Sequence, residues 1–302
     1  MRRFVVILLL VVPLFAHAAG HMFEAGVHGG VAGWSAKRQY IGSEMGFNAG
    51  GHLYYNYLSP YIIGFRTGLT LDCRTAGFGK NGYEDTYSTT DVDNEQMDIS
   101  YRIGSLRERY TSWSVSVPLQ LAWSYDRFTL YTGAKAVFPL TGSWRQTVEH
   151  AALSVYYPAY DNRIEDSYPL AASRDFSMTN NGKLEQPAVQ WWLALEFDYA
   201  LPLRIWSRKS RPYIIVGVYF DYDLTQITPV HSTAPSMLML SDTRDGLPLQ
   251  RMLTSVMSAN RQGTPLVSSC GLWDVGIKVS YAISSYTTNR LKASRHCKCT
   301  TW

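Results

Sequence analysis

Residues 112–125 read SWSVSVPLQLAWSY, and their two-residue period constrains the fold more than any other feature of the chain. Trp113, Val115, Val117, Leu119, Leu121, Trp123 and Tyr125 fall on one side, while Ser114, Ser116, Pro118, Gln120, Ala122 and Ser124 fall on the other. Successive side chains of a β-strand point to opposite faces, so this is a strand with one dry face and one wet face. The dry face must be covered either by a protein core or by lipid.

The same alternation recurs seven times, over 23–34, 44–57, 61–73, 128–140, 188–201, 213–224 and a last segment from Trp273 to residue 283. Eight is an even count, as a closed antiparallel barrel of the bacterial type requires. The connections alternate in length. Ser59 and Pro60 join the second and third strands, Asp126 and Arg127 the fourth and fifth, and PLRIWSRKSR the sixth and seventh. The others run from about nine to about 47 residues, whereas ordinary compact domains rarely carry several loops beyond about 12–15 residues. Short turns at one rim and long loops at the other are the pattern of a membrane barrel. With eight strands, both ends of the barrel then lie on the short-turn side.

A soluble lipocalin-like barrel also has eight alternating strands, with its apolar face inward around a ligand. Two features favour lipid. Trp113 and Trp123 stand ten residues apart, about 33 Å of strand, which at a tilt of about 40° projects to the ~25 Å apolar band between aromatic girdles. The opposite face combines glycines (Gly26, Gly30, Gly46, Gly50, Gly64, Gly68, Gly133, Gly217, Gly276) with Glu24, Arg66, Asp72, Lys135, Glu196, Asp198, Asp221, Asp223, Asp274, Lys278, His28 and His52. Glycine weakens strands, so a solvated outer face has little reason to collect it, whereas a cramped lumen needs small residues beside long ones. The expected fold is an all-β, eight-stranded, antiparallel up-and-down transmembrane β-barrel.

Composition agrees. Charged residues make up 17% of the 302, against about 25% in ordinary domains, and a mean hydropathy of −0.14 excludes a bundle of apolar helices. Arg2 and Arg3, the apolar run 4–15 and Ala16-His17-Ala18 read as a secretory signal peptide over 1–18. A transmembrane anchor would need about 20 apolar residues. The barrel domain is then 19–283, followed by a periplasmic tail over 284–302. The formal charge of +4 falls to +2 without Arg2 and Arg3, too small a bias to suggest nucleic acid as a partner. Export permits disulfides, but Cys73, Cys270, Cys297 and Cys299 form no recognisable framework, and Cys297-Lys298-Cys299 lacks the second ligand pair of a zinc site.

Taken together, these residues resemble the small outer-membrane β-barrel proteins of the OmpA-barrel and PorT-like type. In the last strand, DVGIKVSY places Asp274, Gly276, Val279 and Tyr281 in a polar-x-Gly-x-x-apolar-x-aromatic order similar to the signal read by the barrel-insertion machinery. That signal usually closes the chain, whereas here a tail follows it. The resemblance implies outer-membrane localisation, outer-membrane lipid and the insertion machinery as partners, and no cofactor. It also admits a role as a subunit of a secretion apparatus.

Candidate chemistry is sparse. Glu24, Arg66, Lys135, Glu196 and Lys278 are expected to form a charge network that plugs the lumen, since eight strands leave room only for side chains. Lys135 and Glu196, on neighbouring strands, are the expected mid-height pair. A hydrolytic rim enzyme would need a Ser and His; Glu149, His150 and His231 have no Ser beside them in such an arrangement, and no enzymatic activity is expected. YEDTYSTTDVDNEQMD reads as a solvated acidic loop, without the spacing of an EF-hand. Tyr156, Tyr157 and Tyr160 are candidate contact residues for an extracellular or secretion-system partner, or else belong to strands extending above the membrane; NNG at 180–182 suggests a hairpin turn. Arg204, Arg208, Lys209 and Arg211 form a basic turn, and Arg290, Lys292, Arg295 and Lys298 a basic tail.

Overall fold

The computed structural model describes residues 20–58, 63–90, 94–164, 176–203, 211–241 and 250–284. Eight antiparallel strands form a ring: β1 Gly20–Arg38, β2 Gly46–Leu58, β3 Ile63–Thr90, β4 Gln96–Tyr125, β5 Phe128–Tyr157, β6 Gln190–Pro202, β7 Arg211–Asp223 and β8 Val267–Ser284. Each pairs with its neighbours in sequence, and β1 closes the ring on β8 from Met22↔Ser284 to Arg38↔Val267. The basic turn lies outside the described residues except for the backbone of Arg211, as do the basic tail and residues 1–19.

The apolar face points outward. Phe23, Leu119 and Ile277 are 64%, 52% and 63% exposed, while Gln120, Glu196 and Lys278 on the alternate positions are at most 2% exposed. A soluble lipocalin-like barrel would show the reverse. A ring whose outside is apolar and whose inside is charged is stable only when lipid covers the outside. Trp113, Trp123, Tyr125, Trp191 and Tyr281 stand exposed near the ends of this apolar belt.

Beyond the belt the structure departs from the sequence reading. β3, β4 and β5 are 28, 30 and 30 residues long, so the residues read as long loops after 73 and 140 are largely strand. Alternation continues there with its chemistry inverted. On β4 the outward positions change from Trp113 and Val115 to Arg107, Arg109 and Thr111, while the inward positions change from Ser114 and Ser116 to Leu106 and Tyr110. Past the lipid the outside is wet and the inside dry, so a search for a continuous apolar outer face loses the strand at that boundary. Of the acidic segment, 83–90 and 96–98 are likewise the upper part of the β3–β4 hairpin, with Thr90 paired to Gln96, while 91–93 lie outside the described residues. Asn180-Asn181-Gly182 makes no turn: it lies within the strand Phe176–Lys183, which pairs with β5 from Ser143 to Ala151.

Within this extension, Gly82, Gly104 and His150 fall in one cross-strand row where the ladder is interrupted without losing register. Gly82 and His150 take left-handed backbone, with φ of 65° and 54°. The buried face of β4 swaps at this row, from Leu106, Glu108 and Tyr110 to Met97, Ile99, Tyr101 and Ile103. Since the side-chain period is two, a single-residue break in a strand is enough to exchange its faces. The enclosed space is filled by a cap formed from residues 225–241 and 250–266. Met237, Leu238, Val256 and Leu266 of the cap share one hydrophobic core with Phe78, Ile99, Leu106 and Val148 of the wall.

The orientation of β4 yields a depth test. Val117 lies on the lipid face between the two tryptophans, so Val117→Arg is expected to cost about 2–4 kcal/mol, and Tyr125→Arg at the rim about 0–1 kcal/mol. The folded fraction after refolding into lipid vesicles across a urea series, read by heat-modifiable gel migration, measures both. Equal costs at the two positions would contradict the assigned lipid face.

Candidate functional site

The lumen is occupied by an ion-pair network centred on Arg66 of β3. Its Nη1 donates to Glu196 Oε2 at 2.7 Å, and its Nη2 to Glu24 Oε2 at 2.9 Å and Asp198 Oδ2 at 2.8 Å. Nε donates to Asn56 Oδ1 at 2.6 Å, and the guanidinium lies 3.3 Å from the centroid of the Tyr131 ring. Lys278 Nζ reaches Glu196 Oε2 at 2.6 Å and Asp198 Oδ2 at 2.8 Å. Lys135 Nζ meets Asp221 at 2.7 Å and Glu196 at 3.2 Å. The five residues expected to plug the lumen therefore come together, but around Glu196 rather than as a separate Lys135–Glu196 pair. Glu196 serves three cations at once.

Higher in the barrel, Arg74 donates to Asp274 at 2.6 Å and to the Ser114 hydroxyl at 2.8 Å, and lies 4.5 Å from the centroid of the Trp192 ring. His28 stands 2.6 Å from Asp72. Two glycines are required by close approach: a Cβ on Gly217 would fall 2.2 Å from Asp198 Oδ1, and one on Gly50 2.7 Å from the His28 ring. The void left between His28, Tyr54, Lys135, Glu196, Tyr219 and Lys278 is about 10 Å³, at the lower limit for a single water. Arg74, Tyr54, Tyr131 and Tyr219 belong to this filling and escaped the sequence reading. Their parity relative to the outward apolar positions was the available signal.

Of the insertion-signal residues, Asp274 and Gly276 face the lumen, while Val279 and Tyr281 face lipid, 45% and 49% exposed. Tyr156, Tyr157 and Tyr160 gather at the tip of β5. Tyr156 donates to Asp161 at 2.8 Å, Tyr157 meets Met97 Sδ at 3.8 Å, and Tyr160 donates to the Glu95 carboxylate.

The cap is held to the wall by two buried carboxylates of the same design. Glu108 accepts the Ser255 hydroxyl at 2.6 Å, the Val256 N–H at 2.8 Å and the Tyr110 hydroxyl. Asp85 accepts the hydroxyls of Ser236 and, at 3.3 Å, Tyr101. Asp85 is thus no part of a solvated loop. Its neighbour Glu84 is exposed and pairs with Arg102 at 3.2 Å. Burial pushes the Glu108 carboxyl up to about 7, against the lowering effect of its hydrogen bonds, and raises Asp85 in the same way.

These features define a transmembrane β-barrel of eight strands with a filled lumen and a capped, extended end. No protein-family model and no curated protein matches the chain. Similar solved structures include Ail, the attachment invasion locus protein of Yersinia pestis, at 9% identity over 87% of this chain and 98% of that one, with a TM-score of 0.24. Acinetobacter baumannii CarO2 is similar at 13% identity over 84% and 99%, with a TM-score of 0.25. Likenesses this slight carry no argument, and the class rests on strand register and on which side chains face outward.

Two measurements probe the site. Glu196→Ala strands three cations and is expected to destabilise the barrel by about 3–5 kcal/mol. The loss should be smaller when Lys135→Met is already present, with a coupling of about 0.5–3 kcal/mol. Strict additivity in that cycle would show that the pair does not interact. For the cap, a raised carboxyl in the folded state means that docking favours the proton. Its stabilisation is complete below about 4.5 and is lost as pH rises through about 7. The protection factors of the described cap residues, exchange rates corrected for their intrinsic pH dependence, should fall between those values in the wild type. They should fall less over the same range in Glu108→Gln, where Asp85 remains as the second raised carboxyl.

Proposed function

We propose that the chain is an outer-membrane barrel without an open pore, acting as a structural and interaction protein through its extended end. One observation carries this reading: charged, hydrogen-bonded side chains fill the lumen, while β3, β4 and β5 continue well past the lipid belt into a wall closed by a cap. A transporter needs a path, and this chain invests instead in a folded surface beyond the membrane. The residues 1–18 fit export, and Asp274, Gly276, Val279 and Tyr281 fit recognition by the insertion machinery. The extension is then extracellular, and Tyr160, exposed beside the half-buried Tyr156 at the tip of β5, offers an aromatic contact suited to a protein or glycan partner. No cofactor or catalytic step belongs to this reading.

Conduction is the first test. Purified protein in a planar bilayer should show no steady porin-sized conductance, and steady channels of that size would overturn the filled-barrel reading in favour of transport. Topology is the second. A cysteine placed at Tyr160 should react with a membrane-impermeant maleimide on intact cells, and labelling only after the envelope is broken would reverse the orientation.

A further inference from the structure

On the outer side of the extension, directly above the lipid belt, lies an open cleft of about 920 Å³ bordered by Arg107, Arg109, Arg145 and Lys183, with Glu44 and Glu149 at its edges. Arg109 and Arg145 are cross-strand partners, and like charges directly opposite one another in a sheet destabilise it. Arg145 in turn pairs with Asn181, and Ser143 with Lys183, so the cations form one continuous patch across three strands. Among the described residues, the one carboxylate within ion-pair reach of the patch is Glu44, at 3.9 Å from Arg107. The patch is therefore short of counter-charge among the described residues: Glu44 meets only Arg107, and Arg109, Arg145 and Lys183 have no carboxylate in ion-pair reach there.

Its position says what supplies that charge. Lys183 is level with Thr111, two residues above Trp113, and Arg109 and Arg107 stand four and six residues above it. At about 3.3 Å per residue and a tilt of about 40°, the cations climb from roughly 5 to roughly 15 Å above the girdle. That span starts in the head-group layer of the bilayer and continues just beyond it. Guanidinium groups recognise phosphate oxygens with forked hydrogen bonds. We propose that this cleft binds the phosphorylated head group of an outer-leaflet glycolipid, with Arg109, Arg145 and Lys183 as the phosphate ligands. The site is continuous with the lipid belt, so one molecule lays its acyl chains on Trp113 and its neighbours and its phosphates on the arginines.

The test uses the full-length folded protein in detergent, titrated with diphosphorylated lipid A and read by native mass spectrometry. Wild type should retain the lipid. The variant R109Q/R145Q/K183Q should bind roughly fivefold more weakly per charge removed, on the order of 100-fold in all. A control with the same charge loss outside the cleft lining, K37Q/R38Q/R102Q, should bind as wild type does. All six side chains are exposed, and heat-modifiable migration verifies folding. Should the triple variant fail that check, the single reversal R145E replaces it and is expected to lose binding likewise. Equal binding by wild type and the cleft variant would overturn the proposal, as would equal weakening by the control. Inorganic phosphate displacing the lipid at comparable concentration would show a free-anion site and overturn the lipid assignment. A sulfated polysaccharide binding more tightly than lipid A would overturn it in favour of a polymer ligand.

Discussion

Everything in this barrel depends on Arg66 being surrounded. An eight-stranded ring is too narrow for a water column, so its lumen must be filled with side chains, and the inward positions are polar. A guanidinium buried with three carboxylates and stacked on Tyr131 is stable only as a complete set, because removing one partner leaves an uncompensated charge. Arg66, Arg74, Lys135 and Lys278 are matched by Glu24, Asp72, Glu196, Asp198, Asp221 and Asp274. Carboxylates outnumber these cations, and His28 lies 2.6 Å from Asp72 and His52 3.5 Å from Glu24. Glycines at 50 and 217 follow from the same crowding: they sit where the His28 ring and the Asp198 carboxylate need the space.

The second constraint is the edge of the lipid. A strand leaving the membrane must exchange which of its faces is dry, and β4 does so within a few residues of Trp113. Below that level the outward side chains are apolar and the inward ones polar; above it Arg107 and Arg109 face out and Leu106 and Tyr110 face in. The exchange requires no change of backbone, only of sequence. It also creates a new requirement, since an apolar inner face with no lipid to cover it must find a core. The cap supplies that core, and the buried carboxylates Asp85 and Glu108 fix it to the wall through paired Tyr and Ser hydroxyls.

This explains how far the sequence could be read. Period two located all eight strands and the inward charges, because within the membrane each face has a constant character. It failed where the character inverts, so the upper halves of β3, β4 and β5 read as loops. Tyr54 and Tyr131 were missed for a related reason. Each adjoins an outward apolar residue, Leu53 or Leu130, and an aromatic beside an apolar residue blurs the alternation. The latches were beyond reach because their partners are 147 and 151 residues apart in sequence, and only folding brings Ser255 to Glu108 and Ser236 to Asp85.

Trp192 marks where the two interiors meet. Its ring lies under the Arg74 guanidinium on the polar side, its Nε1 donates to Gln190 at 3.2 Å, and it belongs to the apolar core shared with the cap. An ion entering from the extended end would have to cross that apolar core and then the Arg74–Trp192 layer before reaching the Arg66 network. These barriers are distinct in kind, one apolar and one electrostatic and packed. Ionisation of Glu108 can loosen the first, because that carboxyl holds the cap, but it touches no residue of the second. Opening of the cap at high pH therefore exposes apolar wall and leaves the lumen closed. The membrane part and the extended part are coupled mechanically through three shared strands, yet they can change state independently.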